Sequence, residues 1–179
     1  MNLNDLFQNF CKKNNLEINS YQLSVIDELK SYYKLNFNKS ILNKFFSKNN
    51  SRLAFYLHGG VGVGKTMILN FFFDLVEEKK LRQHFNEFML RFHDFAHERK
   101  ENNEENIINQ FVKDLKFKTK LIYFDEFQVT NIVDAMILGK LFEQIFKENI
   151  KIILTSNTKI SELYKDCLLY TSDAADDDT

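Results

Sequence analysis

The octapeptide Gly59-Gly60-Val61-Gly62-Val63-Gly64-Lys65-Thr66 constrains this chain more than any other feature, because it fits the pattern G-x-x-x-x-G-K-[ST]. That pattern is credible only between a buried strand and a helix, and both are legible. Leu53 to Leu57 is a short apolar run that stops at the glycines, as a parallel strand feeding a loop does. From Lys65 to about Lys80, Ile68, Phe71, Phe72, Leu75 and Val76 fall on one helical face. Glycines admit backbone conformations closed to other residues, so successive N–H groups turn inward and, with the helix N-terminus, cradle phosphate oxygens. Lys65 is then placed to neutralise the β- and γ-phosphates of ATP, and Thr66 to set its hydroxyl on Mg²⁺. A glycine-rich surface turn with a solvated lysine is the bland alternative, and the flanking elements speak against it.

A second signal is Leu121-Ile122-Tyr123-Phe124-Asp125-Glu126, an apolar strand ending in two carboxylates at the edge where open α/β sheets bind ligands. On its own such a run is often a strand with a solvated end. Set after a phosphate loop, it assigns Asp125 to the Mg²⁺ shell and Glu126 to orienting and polarising a water for hydrolysis. Asn157 follows a further strand in Leu154-Thr155-Ser156-Asn157. An amide there serves either as a sensor hydrogen-bonding the γ-phosphate and attacking water, or as an ordinary turn residue, and spacing alone leaves both open. His93 and His97 share the spacing of the H-E-x-x-H zinc motif, with Asp94 in place of Glu and no third ligand, so a structural or nucleotide-coupled role is expected for them. Asp125-Glu126-Phe127-Gln128 is similar to the D-E-x-[HQ] box of helicases, but a second motor domain has no room in 179 residues.

Elsewhere, Leu3, Leu6, Phe7 and Phe10 have helical spacing, and a second helix is expected from Asn19 or Ser20, burying Leu23, Ile26, Leu29 and Tyr33. Asn36 to Ser51 reads as a partly helical connector with Ile41, Leu42, Phe45 and Phe46 as its apolar face. Leu81 to Leu90 is expected to hold a strand and Arg91 to Lys100 a helix, with Glu101 to Asn106 a surface turn. An amphipathic helix from Glu105 to Leu115, a helix from Ile132 to Lys147 and a strand from Ile150 to Leu154 complete an alternation that indicates α/β class, a parallel sheet flanked by helices.

The formal net charge is −1, which gives no global reason to bind nucleic acid or an anionic membrane. Four of the 25 acids stand in the last seven residues, so the body is mildly basic. Cys11 and Cys167 are far apart, which argues against a disulfide framework or zinc knuckle and for a reducing, cytoplasmic setting. No signal or transit peptide is recognisable, and the densest apolar stretch, Met67 to Val76, is shorter than the roughly 20 residues of a membrane helix.

The chain resembles the ZapE family of AAA+ ATPases and its mitochondrial AFG-one-like relatives. The resemblance is carried by Tyr56-Leu57-His58-Gly59-Gly60-Val61-Gly62 with Gly64-Lys65-Thr66-Met67, by Phe88-Met89 with His93, and by Leu163-Tyr164-Lys165. Its longest part is Phe124-Asp125-Glu126-Phe127-Gln128-Val129-Thr130 with Ile132, Asp134-Ala135-Met136-Ile137-Leu138 and Leu141-Phe142. The resemblance implies an AAA+ P-loop core that binds ATP and Mg²⁺, hydrolyses ATP, oligomerises in its full-length form and serves a division-ring client in bacteria. It also puts Asn157 where the family has its first sensor. Val63 stands where an Arg is usual, Asn131 where Asp is usual and Thr158 where Arg is usual.

After Asp166 the family continues with a glycine, an arginine-finger segment, a last core strand and a helical lid, whereas this chain runs into acids with no arginine after Arg99. The expected organisation is a helical lead-in at 1–51, an incomplete AAA+ core at 52–166 and a non-native, disordered tail at 167–179. Because such a finger contributes about 10³ to 10⁵ in rate, weak nucleotide binding and slow or absent turnover are expected. A nucleotide-switched partner-binding module and a helicase-loader-like DNA-handling ATPase are the alternative readings.

Overall fold

The structure, a computed structural model, describes residues 2–37, 52–99 and 103–162. The connector face at Ile41, Leu42, Phe45 and Phe46, the Leu163-Tyr164-Lys165 motif and the acidic tail lie outside the described residues.

Strands β1 (Ala54–His58), β2 (Lys80–His84), β3 (Leu121–Asp125) and β4 (Lys151–Ser156) form one parallel sheet in the order β1-β4-β3-β2. Helices α1 (Leu3–Lys13), α2 (Ser20–Asn36), α3 (Lys65–Leu75), α4 (Phe85–Arg99), α5 (Glu104–Lys118) and α6 (Ile132–Lys147) cover both faces. Strand periodicity divides the core in two. Ile122, Phe124, Ile152 and Leu154 point to α4, α5 and α6, while Leu121, Tyr123, Ile153 and Leu57 point to α1, α2 and α3. Every residue of β3 and β4 is buried, as expected of central strands in a sheet covered on both sides. Phenylalanine fills much of the first layer edge to face; Phe85 meets Phe127 at 4.6 Å and Phe88 meets Phe124 at 4.9 Å between ring centroids.

Helix α6 has the bounds its periodicity suggests. It starts at Asn131, whose side-chain oxygen accepts the Val133 N–H at 2.8 Å, the work an Asp at this position would also do. In α2 the buried stripe is Gln22, Val25, Ile26, Leu29 and Tyr32, so Val25 and Tyr32 sit deeper than the expected Leu23 and Tyr33. The helix entry rotates the stripe: Asn19 and Gln22 form a reciprocal capping box that turns Gln22 inward. Several expected boundaries move, among them the surface turn expected up to Asn106, since α5 already begins at Glu104, capped by Asn103. Helix α3 stops at Leu75 rather than near Lys80, and α4 begins at Phe85 rather than Arg91, because Phe85, Phe88, Met89 and Phe92 are spaced to bury one face as soon as β2 ends.

Candidate functional site

Three strand tips and one helix start meet at the C-terminal edge of the sheet. The loop after β1 makes its turn at Gly62 (φ 84°) and Gly64 (φ 87°), both in the left-handed region that favours glycine. At Gly64 a Cβ would also meet Gln22 Nε2 at 2.9 Å, so the end of that side chain would have to shift. The loop ends at α3, so the free N–H groups of the first helical turn face the cavity. The cavity holds about 360 Å³ and is lined by Gly62, Gly64, Lys65, Thr66, Glu126 and Asn157 among others.

Lys65 is buried, and its ammonium donates to Gly59 O and Gly60 O at 2.7 Å each and to Asn157 Oδ1 at 2.9 Å. The β4 tip therefore reaches the lysine of the glycine loop directly. Next to it, the Thr66 hydroxyl donates to Asp125 Oδ1 at 3.3 Å, joining the start of α3 to the end of β3. A hydroxyl beside a carboxylate is the sparse, oxygen-only donor set that suits Mg²⁺, which takes its remaining ligands from phosphate and water. These residues fit the ion. No cluster of three or more His, Cys, Asp or Glu suited to a metal occurs among the described residues.

Asp125 is buried and held from several sides. Oδ1 accepts from Thr155 Oγ1 at 2.9 Å and Tyr123 OH at 3.3 Å, and Oδ2 takes Arg82 at 2.5 Å. Burial pushes this carboxyl up, but the Arg82 and Thr155 hydrogen bonds, the Arg82 charge and the Thr66 hydroxyl outweigh it and hold the group below the usual carboxylate range. Glu126 is exposed and takes φ 55°, rare for a residue with a side chain. Its backbone N–H donates to Thr155 Oγ1 at 3.0 Å, and the next N–H, of Phe127, to Thr155 O at 2.6 Å. Thr155 thus fixes the turn that separates the two carboxylates: Asp125 is buried at the sheet edge, and Glu126 lines the cavity.

Glu126, Lys65, Asn157, Thr66 and Asp125, singled out in the sequence, are all brought to this cavity or its wall. His93 is elsewhere, with Nε2 2.6 Å from Asp134 Oδ1, tying α4 to α6. Four contributors escaped the sequence reading. Thr155 and Arg82 bind Asp125, Tyr21 OH donates to His58 O at 3.2 Å, and Gln22 packs on Gly64. Only Thr155 lay inside a noted motif. Arg82 is brought in by register, which pairs it with Tyr123, two residues before Asp125 on the same face, and no local sequence signal records that pairing.

The model of the AFG1-like ATPase family matches residues 9–172. Lactation elevated protein 1 homolog B of Danio rerio is 40% identical over 132 residues, covering 68% of this chain and 26% of the relative. Cell division protein ZapE of Escherichia coli K12 is 40% identical over 116 residues, covering 63% of this chain and 30% of the relative. The chain therefore spans between a quarter and a third of the length of these relatives. Among solved structures, domain III of the Thermotoga maritima replication initiation protein DnaA gives a TM-score of 0.49 at 21% identity, covering 74% of this chain and 59% of that one.

Proposed function

Because the chain belongs to the AFG1-like ATPase family, we propose that it binds ATP with Mg²⁺ at Gly59–Thr66 and Asp125 and carries the groups for hydrolysis. The observation that supports this reading best is the convergence of Lys65, Thr66, Glu126 and Asn157 on one cavity from three separate elements, with Asp125 hydrogen-bonded to Thr66 behind its wall. Magnesium, when bound with ATP, screens the charge on the β- and γ-phosphates. Lys65 exchanges its carbonyl partners for phosphate oxygens, which sit at the head of α3 where backbone N–H groups are unpaired. Glu126, lining the cavity, orients a water and accepts its proton as that water attacks the γ-phosphorus and the bond to the bridging oxygen breaks. Asn157 releases Lys65 and turns its amide to the γ-phosphate or the water, acting as a sensor.

The kinship to ZapE supports a finer reading: a cytoplasmic AAA+ ATPase that self-associates and acts on a protein of the division apparatus. The buried, unpaired thiol of Cys11 suits that reducing setting. Among the described residues no helix is long and apolar enough to cross a membrane.

Glu126→Gln tests the chemistry. Mg²⁺·ATP binding should stay within about twofold of wild type, well under the tenfold that corresponds to 1.4 kcal/mol, while any phosphate release that the wild-type chain shows disappears. Turnover that survives the substitution at the wild-type rate would remove Glu126 from the mechanism.

A further inference from the structure

Arg82 lies on β2, the strand at the sheet edge, beyond β3 from the phosphate loop. Its register partner is Tyr123, so its side chain runs along the same face as Tyr123 and Asp125. The guanidinium carbon stands 5.1 Å from the Tyr123 ring centre, and one nitrogen lies 2.5 Å from Asp125 Oδ2. The two carboxylate oxygens differ in what they meet. Oδ1 meets the hydroxyls of Thr66, Thr155 and Tyr123, whereas Oδ2 meets a full positive charge. The Asp125 side chain is 9% exposed and that of Arg82 is 42% exposed, so the cation retains a solvent side toward which it can withdraw.

A buried carboxylate needs a compensating charge whether or not nucleotide is present. On the reading of Asp125 as part of the Mg²⁺ shell, the ion meets that need when bound, and something else must meet it otherwise. We propose that Arg82 is a built-in counter-ion for Asp125, a positioning residue that stands in for magnesium and sets how strongly nucleotide binding depends on the metal. With Arg82 in place, metal-free ATP approaches a neutralised Asp125. Without it, ATP approaches a bare carboxylate, and only the metal relieves the repulsion. Losing Arg82 should therefore weaken ATP binding more in chelator than in Mg²⁺.

The test is equilibrium binding of ATP to the full chain in excess Mg²⁺ and in EDTA, for wild type, Arg82→Gln and Arg82→Lys. The quantity read is Kd in EDTA divided by Kd in Mg²⁺. Arg82→Gln is expected to raise this ratio by about threefold or more, the scale of one unit charge several ångströms away at partly screened distance. Arg82→Lys, which keeps the charge, is expected to hold it near wild type. An unchanged far-ultraviolet circular dichroism spectrum shows that Arg82→Gln is folded. A ratio that stays the same or falls in Arg82→Gln overturns the proposal, as does a lysine variant that behaves like the glutamine one. Wild-type protein that binds no ATP in either condition would sink the phosphate-loop reading itself, and this inference with it.

Discussion

Lys65 Nζ and Asn157 Oδ1 lie 2.9 Å apart, so the lysine of the glycine loop and the tip of β4 are linked directly. The link predicts different outcomes for two substitutions at one position. Asn157→Ala removes a neutral partner that Lys65 must leave anyway, so ATP affinity should change by less than about threefold while turnover falls. Asn157→Asp gives Lys65 an ionic partner that competes with phosphate, and ATP affinity should drop by roughly tenfold, about 1.4 kcal/mol. Calorimetric titration of both variants checks this, and equal affinities would contradict it.

Two glycines of the loop should respond differently to alanine. At Gly64 the backbone is left-handed and a Cβ meets Gln22 Nε2 at 2.9 Å, so Gly64→Ala should cost about 1–2 kcal/mol of stability from the backbone alone. At Gly60 a Cβ meets nothing within 4 Å, and Gly60→Ala should stay within about 0.5 kcal/mol of wild type. Urea denaturation midpoints decide between these outcomes, and similar losses at both sites would show that the loop conformation is not the constraint.

Thr155 is buried, and its hydroxyl donates to Asp125 while accepting from the Glu126 N–H. Thr155→Val keeps the shape and orphans both groups, which should cost about 1–3 kcal/mol. Thr155→Ser should recover most of that loss in the same denaturation assay. A valine variant as stable as wild type would mean that water replaces the hydroxyl.

Stability should also depend on pH through Asp125. Its folded-state pKa is depressed, against the effect of burial, by Arg82, Thr155 and Thr66. The unfolded group titrates near about 4. Its stabilising contribution is therefore fully present above that pH and is lost as pH falls through the lower native value. Asp125→Asn should flatten the acid limb of a stability profile below about pH 4. A variant whose acid limb matches wild type would contradict this.

Much of the molecule was legible locally because local rules produced it. The apolar runs of β3 and β4 are long enough to be buried on both faces, and α6 carries its own cap at Asn131. Strand β2, Lys-Leu-Arg-Gln-His, has one apolar residue, because an edge strand is only half covered, so its bounds and the start of α4 were displaced. The phosphate loop and the two carboxylates could be read because each is a contiguous motif. Arg82 and Thr155 could not be assigned, since they act on Asp125 across 43 and 30 residues of chain, distances that parallel strand pairing closes and no local pattern records.

The central claim is that Gly59–Thr66 holds the phosphates of ATP through Lys65. Titrating wild type and Lys65→Ala with Mg²⁺·ATP tests it most directly. The predicted result is measurable binding by wild type and at least about a tenfold weaker affinity in the variant, with a cooperative unfolding transition retained. Equal affinity in the two proteins would contradict the claim.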